Sequence, residues 1–246
     1  RAAEAGDGAA QRALALACAA GSCGLARDEA EAVRWLSLAA AQEDAGAMYW
    51  LSVCCRRGLG RAPDAQEAWV WLVRAAEVGH PEAQYGLGLA YLAGDGAQQD
   101  ASLAARWFRR GALQGEPRAQ CNLGAMCAEG SGGLPQDYGE ALRWYASAAD
   151  QGSADGQHNL ALMHLHGLGG LRRDAGEARR WCARAAEQSH PRALQLLRQL
   201  GEPAGAGGAL LGAAPLRAAP GAAASGVAAS DSLSAKIEEA RALLGA

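Results

Sequence analysis

Five tryptophans, Trp35, Trp71, Trp107, Trp144 and Trp181, follow one another at steps of 36, 36, 37 and 37 residues. Five leucines keep the same step (Leu14, Leu51, Leu87, Leu123 and Leu160), and Leu197 continues it. Five aspartates do so too: Asp28, Asp64, Asp100, Asp137 and Asp174. Three residue types locked to one period demand a unit that repeats in space. A unit this short cannot bury its own apolar face, so its copies must stack.

Each unit reads as two helices. The first opens with a small residue (Ala10, Ala47, Ala83, Ala119 or Gly156) and carries the leucine four positions later. At 3.6 residues per turn those two share a face. The residue three places upstream is Asp7, Asp44, His80, Glu116, Ser153 or His190. Asp and Ser there are N-cap residues whose side-chain oxygen takes a free amide of the first turn. Pro81, Pro117 and Pro191 stand at the next position, where a helix tolerates proline. Gly58, Gly94 and Gly130 then end the helix.

The repeated aspartate opens the second helix. Glu31, Glu67, Glu140 and Glu177 follow three residues later, which predicts a capping box; Leu103 breaks it in the third unit. An alanine (Ala32, Ala68, Ala104, Ala141 or Ala178) and then the tryptophan complete a small–large pattern. It predicts close helix approach, with the indole filling the gap between units. On that expectation Trp107→Ala costs on the order of 3–5 kcal/mol, as large core truncations do. The fold class expected is therefore all-α: a solenoid of about five antiparallel helix pairs.

Composition narrows the function. The formal net charge of −3 argues against a nucleic-acid surface, which shows as basic excess. The seven cysteines have no framework spacing, which fits a reduced, intracellular and cytoplasmic setting. No apolar run is long enough for a membrane span. The chain starts without Met, so the start leaves targeting open.

The pattern A-x-x-x-L-G-x-x-Y, then G-x-G, then D-x-x-x-A-x-x-W-[YF]-x-x-x-A resembles the Sel-one-like repeat, a relative of the tetratricopeptide repeat. Ala83, Leu87, Gly88, Tyr91, Gly94, Gly96, Asp100, Ala104, Trp107, Phe108 and Ala112 carry it in full. The resemblance covers residues 1 to about 200 and implies a right-handed superhelix whose first helices line a concave, partner-binding face. Cys18, Cys55, Cys127 and His164 depart from it, standing where the pattern has tyrosine, as Tyr91 does. The cysteines there read as small apolar core residues. Some relatives cross-link their repeats by disulfides, but Cys121 and Cys127 share one helix here and most second helices lack a cysteine.

The organisation expected is a solenoid over residues 1–200, a flexible Ala/Gly/Pro linker over 201–230 and a short amphipathic helix over 231–246. Leu233, Ile237, Ala240 and Leu244 of that last segment lie at helical spacing. A frayed tail and a docking helix, bound in cis or to a partner, are both open readings. The chain begins with Arg1-Ala2-Ala3-Glu4-Ala5-Gly6, which matches the end of a second helix at residues 74–79. That suggests sequence upstream.

No residue set suggests catalysis, a cofactor or a metal. His158, His164 and His166 share a helix but not a face, and there is no phosphate loop or nucleophile elbow. By analogy with tetratricopeptide repeats, the concave face takes Arg12, Tyr49, Trp50, Arg56, Arg57, Tyr85, Asn122, His158 and Asn159, with Glu129 and His166. Trp50 stands outside the tryptophan register, and aromatics beside arginines make interaction hot spots. The function expected is a non-catalytic adaptor or scaffold that holds a protein or peptide partner in its groove. A structural subunit of a large assembly is the alternative. A hydrolase of the β-lactam-binding type, which the cysteine-rich relatives would imply, is remote.

Overall fold

In the computed structural model residues 2–201 are described; Gly201, where the linker is expected to begin, ends the last helix, and the rest of the expected linker and the terminal helix lie outside the described residues. Eleven helices and no strand occur among the described residues. They are α1 (Gly8–Ala20), α2 (Glu29–Ala40), α3 (Ala45–Arg57), α4 (Ala65–Val78), α5 (Pro81–Ala93), α6 (Ala101–Leu113), α7 (Pro117–Glu129), α8 (Tyr138–Asp150), α9 (Ala154–His166), α10 (Ala175–Glu187) and α11 (Pro191–Gly201). This is the all-α helix-pair solenoid that the periodicity demands. The described residues form two compact units, one up to Gln98 and one from Gln99 to Gly201. In the first, α1 to α5 each pack on the next helix; in the second, α6 to α11 do.

Caps set the period. All six first helices are capped by the side chain expected there: Asp7, Asp44, His80, Glu116, Ser153 and His190 each accept the amide three residues on. Asp28, Asp64, Asp100, Asp137 and Asp174 accept amides of the second helix in the same way. The reciprocal half of the expected capping box does not form. The backbone N–H of Asp28, Asp64, Asp137 and Asp174 donates instead to the carbonyl of Cys18, Cys55, Cys127 and His164. Those are the positions where tyrosine is replaced. Their backbone oxygen ties the first helix to the second, and any side chain supplies it. The capping-box glutamates turn to other partners: Glu67 to Arg61 and to the Trp71 indole N–H, Glu140 to Trp144 and Arg109.

Leu51, Leu87, Leu123 and Leu160 are buried, while Leu14 and Leu197 in the outermost repeats are half-buried. The tryptophans depart from expectation. Trp35, Trp71, Trp107, Trp144 and Trp181 are all half-buried, and the core is filled by the residue after each: Leu36, Leu72, Phe108, Tyr145 and Cys182. Successive helix residues are turned about 100° apart, so only one of the two can face the interior. The indoles lie along the flank, where Arg74, Arg110 and Arg184 sit over Trp71, Trp107 and Trp181 at 5.1, 4.5 and 4.6 Å. Each such contact at an exposed site is worth about 0.5–1 kcal/mol. Water fills the space left by an indole at the flank, so the cavity part of the 3–5 kcal/mol expected for Trp107→Ala does not apply there.

Close approach between neighbouring repeats explains two glycines. A Cβ on Gly60, at φ 67°, would stand 2.2 Å from the Glu29 carbonyl oxygen at the start of α2. One on Gly96 would stand 2.6 Å from the Trp69 ring, which also meets Tyr91 edge-on at 5.9 Å.

Candidate partner-binding surface

The first helices would present any partner surface, so their side chains are taken in register. Two positions after the small residue stand Arg12, Tyr49, Cys121 and His158. Each meets the N-cap of the next first helix in its unit. Arg12 pairs with both oxygens of Asp44 at 2.6 and 2.7 Å. Tyr49 stacks on His80 with ring centroids 4.7 Å apart. The Cys121 thiol lies 3.5 Å from the Ser153 hydroxyl, and the His158 ring lies 5.0 Å from His190. Arg12, Tyr49 and His158 are therefore engaged with neighbouring helices, although they were expected on a free concave face. Gly46 leaves room for Arg12, since a Cβ there would stand 2.6 Å from its guanidinium.

One position further on stand Trp50, Asn122 and Asn159. The two asparagines are buried, Asn122 to 1% exposure, and Asn122 donates to the Arg118 carbonyl at 2.8 Å. They join the interior of their unit and offer no edge to a peptide. Trp50 is half-buried, beside Tyr49 at 5.7 Å and 64°. The same register position holds Ala13 on α1 and Gly86 on α5. Tyr85 is half-buried on α5. Arg56 is exposed and pairs with Asp95 at 3.0 Å, and Arg57 is half-buried one residue on. Of the expected set in the first unit, Trp50, Arg57 and Tyr85 are half-buried and Arg56 is exposed, while Arg12 and Tyr49 are half-buried against the next cap.

Sequence reading missed a set of glutamines. Gln11, Gln84, Gln120 and Gln157, one position after the small residue, donate to the carbonyls of Ala3, Ala76, Ala112 and Ala149. Gln42, Gln151 and Gln188 donate in turn to Gln11, Gln120 and Gln157 at 2.8, 2.8 and 3.0 Å. These pairs join carbonyls near the end of one second helix to the helices that follow. Their signal was available, because the glutamines keep the period of the leucines.

Burial raises the Cys54, Cys127 and Cys182 thiols to about 11 and Cys121 to about 12, so they stay protonated. Burial, with His190 and Arg192 nearby, lowers His158 to about 4 and holds it neutral. The seven cysteines are unpaired; Cys23 is exposed and the others are buried. Among the described residues no group of three His, Cys, Asp or Glu side chains could hold a metal ion, and no helix is long and apolar enough to cross a membrane.

The Sel1 repeat profile matches residues 8–44, 45–80, 81–116, 117–153 and 154–190, so each match starts at or near a first helix and ends on the cap of the next. No curated protein matches the chain. Among solved structures, a Sel1 repeat protein from Oxalobacter formigenes is 28% identical, with 80% of each chain covered and a TM-score of 0.71. The structure of c5321, described as a protective antigen of uropathogenic Escherichia coli strains displaying an SLR fold, is 32% identical with a TM-score of 0.70. That match covers 81% of this chain and 42% of the antigen, so this chain spans less than half of the antigen's length.

Proposed function

Since this chain belongs to the Sel1 repeat family, whose repeats are generally protein–protein interaction modules, we propose that it is a non-catalytic scaffold binding a protein or peptide partner. The binding surface is the accessible side of α3 and α5. Trp50 carries this reading. Its register position is filled by small residues on α1 and α5 and by buried asparagines on α7 and α9. Packing within the repeat therefore does not require an indole there. Tyr49 is held against His80, which gives the indole a rigid neighbour. Arg56 and Arg57 add positive charge about two turns further along α3, at its end. The Arg56–Asp95 pair is exposed and worth at most about 1 kcal/mol, so an acidic partner could replace it.

The test is affinity capture by the full chain and by Trp50→Ala/Arg56→Glu/Arg57→Glu, with crosslinks mapped by mass spectrometry. The expected result is a partner crosslinked to α3 that the triple variant loses while its melting curve changes little. Equal capture by both proteins would remove α3 from the binding surface.

One observation favours the assembly-subunit reading. Leu38, Val70 and Val78 on α2 and α4 are about half exposed, and Leu113 on α6 is 72% exposed. Crosslinks falling on these second helices would favour that reading.

A further inference from the structure

The last described helix, α11, is a first helix without a second. In α3, α5, α7 and α9, the residues one, four and seven positions after the small residue are buried. They are Met48, Leu51 and Cys54; Gln84, Leu87 and Ala90; Gln120, Leu123 and Met126; and Gln157, Leu160 and Met163. The same positions of α11 hold Leu194, Leu197 and Leu200, a continuous apolar stripe. Leu194 is 39% exposed, and Leu197 and Leu200 are half-buried. Ala193 and Leu196, which face α10, are buried. The uncovered stripe is the one that the following second helix helps to cover in a complete repeat, as the Gln188–Gln157 bond between α10 and α9 shows.

We propose that residues 231–246 of this chain dock on that stripe as the second helix of a sixth repeat. The argument is one of register. Second helices bury residues at spacings of four and seven from their alanine, as Ala178, Cys182 and Ala185 do on α10. Leu233, Ile237 and Ala240 have that spacing. In the same alignment Leu243 falls where Gln188 stands, and its counterpart on α11 is Leu194 where α9 has Gln157. A polar pair is thus replaced on both sides by leucine. Lys236 takes the place of Trp181, a flank position that needs no burial. Asp231 or Ser232 at the start of the segment can cap it. The intervening residues 202–230 are longer than the turn between α9 and α10, but closure cost grows only logarithmically with length. A tether of this kind sets a local concentration on the order of millimolar, which favours this segment over a free partner.

Amide hydrogen exchange on the full chain tests this, comparing wild type with Ile237→Glu and with the flank control Lys236→Glu. In wild type, amides of 233–244 should be protected at least about tenfold over an unstructured chain, independently of protein concentration. Ile237→Glu should remove that protection and raise exchange in α11 by about tenfold, with α7 unchanged and Lys236→Glu like wild type. Unprotected amides over 233–244 in wild type, or an α11 indifferent to Ile237→Glu, would overturn the proposal. Protection that grows with protein concentration would assign the stripe to a second copy and overturn it as well.

Discussion

Tyr145 has a hydroxyl buried in the second unit with no hydrogen-bond partner. Its ring lies against α7 so closely that a Cβ on Gly124 would stand 2.9 Å from it. Tyr145→Phe keeps that ring and deletes the unpaired oxygen. An unsatisfied buried hydroxyl costs about 1–3 kcal/mol, and losing one oxygen opens almost no cavity, so the variant should be more stable by about that amount. The third repeat supplies the precedent: Phe108 holds the same register position and is fully buried. Urea unfolding with the slope fitted separately measures the gain, and amide exchange in α7 and α8 locates it, because repeat arrays need not unfold in one step. Linkage gives a second readout. Burial raises the Tyr145 phenol well above its ordinary value of 10. The neutral phenol's stabilisation is therefore full below about pH 10 and is lost as pH rises above it. Tyr145→Phe should remove that part of the alkaline loss. A variant less stable than wild type by about 1 kcal/mol or more would refute the reasoning, because the hydroxyl must then have a partner in solution.

Three further outcomes follow from the same packing. Gly60→Ala should cost about 3 kcal/mol or more in a melt, since its Cβ would meet backbone atoms of Glu29 and Ala30 and its φ is positive. Arg12→Ala and Gly46→Ala should each cost about 1 kcal/mol or less, and together little more than either alone, because both remove the Arg12–Asp44 pair; additive losses in a double-mutant cycle would contradict this. His158 is held neutral with its value lowered to about 4, so its share of stability is complete above about pH 6.5 and is lost as pH falls toward 4. That share is up to about 3 kcal/mol, and His158→Gln should flatten the pH dependence of the melting temperature between those limits.

The fold was legible because caps and period are local. An aspartate or serine at the right place takes amides from its own first turn, whatever packs beyond it. The face of a second helix was not legible in the same way. Trp107 and Phe108 are both apolar, both recur at the period, and differ only in direction. Choosing between them needs the position of α7, and an indole suits a flank because its ring can lie along the helix under an arginine. The expected binding residues split for a related reason. Arg12 and His158 look like free groove side chains until the next cap is seen to face them across the seam between repeats. Trp50 is half-buried and does not meet the next cap, which Tyr49 beside it does.

Those seams bear on how the array could be edited. Arg12 meets an aspartate, Tyr49 a histidine, Cys121 a serine and His158 a histidine. Each junction is a different chemical match, although the helices on either side are nearly interchangeable. Excising residues 44–79 would leave each remaining helix its own N-cap yet bring Arg12 opposite His80 and forfeit the Asp44 carboxylate. The order of the repeats is thus specified at their boundaries, and a shuffled array would keep its helices while losing the contacts that tell one neighbour from another.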